Sequence, residues 1–596
     1  MNFGFLRVAT AVPVIRMSDC EHNAKVIIEQ IKEAEKKSVS LLLFPELCIT
    51  GVSCNDLFCF PSFCQKAELA LEQIKQSTAD CTVAFCVGLP RKKGNALYNA
   101  MVLIQRGEEK CVFYKETLSL TEKRYFSSPK NYVAPNVSIQ EASFSLQFDK
   151  PMNFVNADIV LCPSGNYSIV GSETYKKKWI EAISMEKSIA VLYAQTGSGE
   201  SSTDVVFAGN AMIAECGEIL SQSEMFSWQS QLIIADIDIE RIQANRLNLC
   251  EKQQDENVVE IVVAERKDED LIREIDENPF IPKGEKWLER MEEIVNLQVQ
   301  GLFTRLHHVG IKKVVVGISG GLDSTLALLI SVLTMEKLGL PRTNVLAITM
   351  PGFGTTDRTY SNAVGMIKGL GVTFQEISIK ESCIQHFKDI NHSEKSFDVV
   401  YENSQARERT QILMDIANQQ NALVVGTGDL SELVLGWATY NGDQMSMYGV
   451  NAGIPKTLVR SLVRYLSSEK IFDNVKEYLL DVVETPVSPE LLPFDEEGKI
   501  VQKTEDLVGP YELHDFFIFY ALRYHFSYDK ILFLAKKAFA KKYVEEEIIH
   551  WLKTFFRRFV QQQYKRNPMP DGPKIGTVGV SPRGDLMFPS DAINVF

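Results

Sequence analysis

Residues 314–329, VVVGISGGLDSTLALL, place two glycines, two serines and one carboxylate within six positions, Ser319 to Ser324, between a β-branched run and an apolar helical pattern. Gly320 and Gly321 let the backbone approach an anion closely and adopt φ values that other residues avoid. The first turn of the following helix offers unpaired N–H groups to that anion, and Ser319 and Ser324 add hydroxyl donors. The chemistry is phosphate binding. Asp323 refines it, because a bare carboxylate repels phosphate unless a divalent cation lies between them, so the loop predicts Mg²⁺ at Asp323. Neither GxxxxGK[ST] nor GxGxxG is present, which sets the loop apart from the two commonest nucleotide loops. The plain alternative is a glycine turn whose Ser or Asp caps a helix. A second carboxylate, Glu432, follows the apolar run NALVVG and opens a helical pattern. That puts it at the same sheet edge as Asp323, where one ion bridges both. Trp437 and Tyr440, three apart, are expected to share a helix face, either stacking on an aromatic ligand or filling core.

These residues need a layered scaffold. The runs KKVVVGI, NVLAITM, VTFQEISI and NALVVGTG alternate with helical segments, the pattern of a doubly wound parallel sheet with ligands at the strands' carboxyl ends. Upstream, FLRVATAV, VSLLLFPE, TVAFCVGLP, YNAMVLIQ, ADIVLCPS, IAVLYAQTG and NAMIAECGEI are strand-like runs interleaved with helices such as HNAKVIIEQIKEAEKKS, which predicts a separate layered α/β domain. Between the two, residues 264–286 are charge-dense, carry two prolines and lack an apolar period. The expected organisation is a domain over 1–263, a linker over 264–286, and a second domain over 287–596 whose tail from about residue 530 is helical.

With 596 residues and 45% hydrophobic composition, the chain has enough apolar surface for two cores. A formal net charge of −14 argues against nucleic-acid or anionic-membrane partners. The opening MNFGFLRVATAVPV has no secretory head, and no run approaches the ~20 apolar residues that span a bilayer, so the expected location is the cytoplasm. Of 12 cysteines, 11 precede residue 251 and none forms CxxC. In a reducing compartment most of them read as small buried hydrophobes.

SGGxDS after a strand resembles the signature of the ATP pyrophosphatases, which split ATP between its α- and β-phosphates and pass AMP to a substrate oxygen. Five segments narrow the resemblance: 348–363, 401–418, 426–443, 453–460 and 571–585. Together they resemble the NAD synthetase domain of the glutamine-type NAD synthetases. The resemblance implies adenylation of the nicotinate carboxylate of deamido-NAD, then displacement of AMP by ammonia. It implies ATP contacts at Gly317, Ile318, Ser319, Gly320, Gly321, Leu322, Asp323, Ser324 and Thr427, and Mg²⁺ at Asp323 and Glu432. For deamido-NAD it implies Asn403, Glu432, Trp437, Ala438, Thr439, Tyr440 and Lys574, with Lys456 a further candidate for the phosphates.

The first half resembles the nitrilase-like amidase domain that supplies ammonia from glutamine in this family, an αββα layered fold using Glu, Lys and Cys. Glu46 in LLLFPELCITG stands at the general-base position and Lys115 at the lysine position, with Glu122 nearby. The nucleophile belongs just after the next strand. Taking SFSLQF as that strand, Asp149 falls where the thiol should be, and no cysteine occurs from Val112 to Leu161. A carboxylate is a poor nucleophile toward an amide and repels Glu46. Glutamine hydrolysis is therefore expected to fail, leaving free ammonia as the nitrogen source. Two alternatives stand beside this reading: glutamine hydrolysis through a relocated nucleophile, Cys162, and a non-catalytic nucleotide-binding protein. The resemblance also implies a homo-oligomer.

Overall fold

The computed structural model describes residues 3–130, 132–139, 142–149, 157–247, 258–261, 271–354, 357–485 and 508–593. Glu141, Lys150, Pro151, Cys250 and residues 264–270 of the expected linker lie outside them. The chain divides into two compact units, Met1–Arg273 and Glu274–Phe596.

In the front unit the strands are β1 (Phe5–Val12), β2 (Leu41–Leu43), β3 (Ala84–Lys93), β4 (Ala96–Gln105), β5 (Glu108–Tyr114), β6 (Asn136–Ile139) and β7 (Ala142–Leu146). They continue as β8 (Ile159–Ser164), β9 (Ala190–Gln195), β10 (Ala211–Glu215), β11 (Glu218–Gln222), β12 (Gln231–Asp238) and β13 (Val258–Ile261). One sheet has the order β12-β1-β2-β3-β4-β5 and the other β11-β10-β9-β8-β7-β6-β13. Alternate side chains meet between the sheets, Val8, Leu43 and Met101 with Phe144, Leu161 and Leu192. The remaining faces are covered by helices, because their apolar residues recur at helical spacing. Helix Cys20–Lys36 lays Ala24, Ile27 and Ile31 on the first sheet, and helix Ser172–Lys187 lays Ile180 and Ile183 on the second. This is the αββα layering expected. The end of the unit is tied down: Ile272 N–H donates to Asp236 Oδ2 (2.7 Å), and the Arg273 guanidinium forks onto Glu215 (2.8 and 3.0 Å). These linker residues are therefore built into the front unit.

In the rear unit β14 (Lys313–Gly317), β15 (Val345–Thr349), β16 (Thr373–Glu376), β17 (Ala422–Gly426) and β18 (Tyr448–Gly449) form a parallel sheet ordered β16-β15-β14-β17-β18. The chain builds outward on one side of β14 and then crosses to the other. The carboxyl ends of β14 and β17 therefore flank the topological switch point, where open sheets leave a crevice. Helix Leu322–Lys337 leaves that crevice and is buried almost all round, packed with helices Trp287–Val309 and Lys456–Leu466. The doubly wound expectation holds, and the tail folds into helices Tyr511–Tyr524, Tyr528–Ala538 and Glu545–Gln561.

Candidate active site

The crevice is a cavity of about 500 Å³ lined by the whole Gly317–Ser324 loop. Gly320 takes φ +89°, and a Cβ there would lie 2.2 Å from the Thr359 carbonyl oxygen, so only glycine lets the loop pass. Ser319 and Ser324 hydroxyls lie 3.1 Å apart, and Ser319 Oγ accepts the Gly321 N–H (3.2 Å), which holds the bend before any anion arrives. Asn451 clamps this loop to the one after β17, donating to the Asp323 and Thr427 carbonyls (3.0 and 3.1 Å).

At the lip stand three carboxylates, Asp323, Asp429 and Glu432, each offering an oxygen within 4.8 Å of the others. The Lys456 ammonium reaches all three, at 2.7, 2.8 and 2.8 Å, and is itself 3% exposed. Asp429 N-caps helix Leu430–Leu435, accepting the Glu432 N–H (2.8 Å), which is why the acid at 432 points back to the loop. One cation cannot neutralise three anions. Burial, with the neighbouring acids, pushes the Glu432 carboxyl up to about 7 and the Asp429 carboxyl well above its usual range. Lys456 is held charged despite burial by the same three acids. The three oxygens suit a hard divalent cation, and Asp323 Oδ1 is buried without a hydrogen-bond partner.

The cavity brings together most of the residues singled out in the sequence. Asn403, Thr427, Glu432, Trp437, Ala438 and Thr439 line it with the loop. Asn403 lies within helix Val399–Gln420 and accepts the Thr439 hydroxyl (2.7 Å). Two expectations need correction. The helix carrying Glu432 ends at Leu435, where Gly436 turns into the left-handed region at φ +58°. Trp437 and Tyr440 therefore share no helix face: Trp437 lines the cavity, whereas Tyr440 is 44% exposed and packs against Tyr564. Lys574 is also outside the cavity lining, exposed and paired with Asp585 (2.7 Å). The lysine that lines it is Lys565, nine positions earlier, donating to the Gly436 and Ala438 carbonyls (3.0 and 2.8 Å). Arg558 also lines the cavity, 5.2 Å over the Trp437 ring. Sequence reasoning missed Asp429, Lys565 and Arg558. Only the N-cap position of Asp429, ahead of LSELVL, was a readable signal.

The front unit repeats the device. Lys115, buried at the end of β5, reaches Glu46 (3.0 Å), Glu122 (2.8 Å) and Asp149 (2.8 Å). β7 ends at Leu146, two residues short of the expected strand, but the chain stays beside β8 through the Gln147 and Asp149 N–H groups (2.8 Å each). Asp149 is then turned inward at φ +66°, a strained value for a non-glycine residue. Its other oxygen accepts from Asn166 (2.8 Å) and Ser164 (3.3 Å). Asp149 thus stands with Glu46 and Lys115. The anticipated repulsion of Glu46 is offset by the shared ammonium, though burial still raises the Glu46 carboxyl to about 8.

Cys162 is not presented to that cluster. It lies within β8, fully buried among Val160, Ile180, Ile183, Val191 and Met212, and burial pushes its thiol well up. A reactive thiol needs the opposite environment. Cys162→Ala is expected to cost ~1–2 kcal/mol of front-unit stability through lost packing, read by thermal unfolding, and to leave ammonium-driven turnover unchanged.

Residues 294–481 match the family model of NAD synthase, and residues 7–247 that of carbon-nitrogen hydrolase. The chain is 34% identical over 658 residues to a glutamine-dependent NAD(+) synthetase of Mycobacterium leprae, covering 99% of this chain and 96% of the relative. It is 27% identical over 579 residues to that of Aquifex aeolicus, covering 94% of each. Among solved structures it is similar to a glutamine-dependent NAD(+) synthetase from Cytophaga hutchinsonii, with 21% identity, a TM-score of 0.42, and coverage of 98% and 97%.

Proposed function

Because the chain belongs to the glutamine-dependent NAD(+) synthetase family and is an ATP-dependent NAD synthase, we propose that its rear unit adenylates deamido-NAD at the three-carboxylate lip and that its nitrogen comes from free ammonia. The observation that carries this is that Asp323 and Glu432 line the cavity beside the phosphate loop, with the buried Asp429 and Lys456 joined to them. In the first step a carboxylate oxygen of the nicotinate ring attacks the α-phosphorus of ATP, and the bond to the β-phosphate oxygen breaks. The loop N–H groups with Ser319 and Ser324 hold the departing pyrophosphate, and Lys456, ion-paired to Asp323, Asp429 and Glu432, holds those acids in place. Thr427 contacts ATP. Asn403, Glu432, Trp437, Ala438 and Thr439 position deamido-NAD, with Lys565 taking the place first given to Lys574. Asp323 and Glu432, joined by Asp429, would hold Mg²⁺, which when bound neutralises phosphate charge. In the second step the ammonia lone pair attacks the acyl carbon, the bond to AMP breaks, and nitrogen sheds a proton.

For the front unit, Asp149 in place of a thiol supports loss of glutamine hydrolysis, since a carboxylate bonded to Lys115 makes a poor amide nucleophile. No helix among the described residues is long and apolar enough to cross a membrane. The family resemblance supports a cytoplasmic homo-oligomer, which sedimentation would check. The deciding experiment is exchange of labelled pyrophosphate into ATP. Exchange that requires deamido-NAD is expected, together with NAD formation from ammonium and none from glutamine. No exchange would remove the ligase reading, and glutamine-driven turnover would remove the second claim.

A further inference from the structure

In the front unit four thiols, Cys20, Cys54, Cys59 and Cys64, gather where helix Cys20–Lys36, the 3₁₀ segment Val52–Cys59 and helix Pro61–Ser77 pack together. Among the described residues, no three of them bring their sulfurs close enough to hold a metal ion. Cys20, Cys54 and Cys64 are buried, whereas Cys59 is exposed. The Cys54 thiol donates to the Thr50 carbonyl (3.1 Å). Cys64, in the first turn of its helix, reaches back instead and donates to the Phe58 carbonyl (3.5 Å). That carbonyl belongs to the peptide bond that carries Cys59, so by peptide geometry Cys64 Sγ lies within roughly 6 Å of the Cys59 Cα. Burial pushes the Cys64 thiol up, and the nearby Cys59 thiol adds to the shift.

The segment is anchored in this place. Val52 and Ser53 N–H groups donate to Glu200 (2.9 and 3.0 Å), and Asp56 accepts from the Arg124 guanidinium (2.9 and 3.1 Å) and the Tyr125 hydroxyl (2.9 Å). Between these anchors Asn55 takes φ +48° and ψ −127°, a strained value for a non-glycine residue. Only the tight turn through Phe60 separates the two cysteines: Phe60 N–H donates to the Leu57 carbonyl (3.0 Å), and Cys64 N–H to the Phe60 carbonyl (3.3 Å).

We propose that Cys59 and Cys64 form an oxidation site, in which a hydroperoxide attacks the exposed thiol and the shielded thiol closes it to a disulfide. An accessible cysteine poised beside a resolving one is the arrangement that makes oxidation reversible. The Cys59 thiolate attacks one peroxide oxygen, the O–O bond breaks, and an alcohol, or water from hydrogen peroxide, leaves with the proton. Cys64 sulfur then attacks the sulfenic sulfur, and its own proton departs with the hydroxide as water. Two thiols are oxidised to one disulfide and the peroxide is reduced.

The full chain is treated with stoichiometric hydrogen peroxide, its remaining thiols are alkylated, and it is cleaved with chymotrypsin, which cuts after Phe63 and so separates the two residues. The expected result is a parent chain lighter by two hydrogen atoms, with the peptides of Cys59 and Cys64 joined until dithiothreitol is added. Cys59→Ser should abolish the bond. Cys64→Ser should raise the sulfinic form of Cys59 about tenfold over the parent, because nothing then resolves the sulfenic acid. Both variants should form NAD from ammonium as the parent does, since neither thiol belongs to the reaction cavity. Cys59 left unmodified, carried to sulfinic acid while Cys64 stays open to alkylation, or joined to a different cysteine would each overturn the proposal.

Discussion

Asp323→Asn is expected to lower NAD formation from ammonium by about 10³, some 4 kcal/mol, the scale of removing a preorganised charge partner from a transition state. Asn keeps the side chain's size, and Lys456 retains Asp429 and Glu432 at 2.8 Å each, so the lip stays folded. What disappears is the carboxylate nearest the phosphate loop, with its unpartnered Oδ1. With the role in adenylation proposed for that group, deamido-NAD-dependent pyrophosphate exchange should fall by the same factor. Binding of Mn²⁺ to the nucleotide-free enzyme, followed by electron paramagnetic resonance, should weaken as well. A variant that keeps exchange within tenfold of the parent would sink the assignment of this lip to phosphate chemistry.

Lys115→Met should destabilise the front unit by about 3–5 kcal/mol, because it leaves buried acids without their cation. The loss should depend on pH in a definite direction. Glu46 has a folded value raised to about 8, so its contribution is fully present below its ordinary 4.5 and is lost as pH rises through about 8. Glu122 is held below its ordinary value, burial working against it and Lys115 for it. Its contribution is present above 4.5 and is lost as pH falls. Removing Lys115 abolishes the Glu122 contribution and drives both acids toward their neutral forms. The gap between parent and variant should therefore be widest above pH 8, shrink as Glu46 becomes neutral below it, and close only below about pH 4.5, where Glu122 protonates as well, read by hydrogen exchange of strands β2 to β5. A gap independent of pH would show that Lys115 serves packing alone.

Asp149 and Asp323 were both legible because each is announced by its neighbours in the chain. An alternating strand ends just before Asp149, and glycines and serines surround Asp323. Other readings failed where a short stretch admits two geometries. GWATY could continue a helix or leave it, and Gly436 decides by closing the helix in the left-handed region. The segment QYKRNPMPDGPK contains two lysines, and only the packing of the last helices selects Lys565 over Lys574.

Taken alone, the amino-acid order determined the two layered α/β folds, the phosphate loop and the lack of any cysteine from Val112 to Leu161, because strand periodicity, glycine backbone freedom and side-chain identity are local properties. Tertiary structure decided that Lys456 meets Asp323 across 133 positions and Glu432 across 24, and that Lys115 meets Glu46 across 69. Such meetings depend on sheet order and on which way a buried side chain points. Burial then turns these charges into one network, since a cation withdrawn from water must find its anions within hydrogen-bond reach.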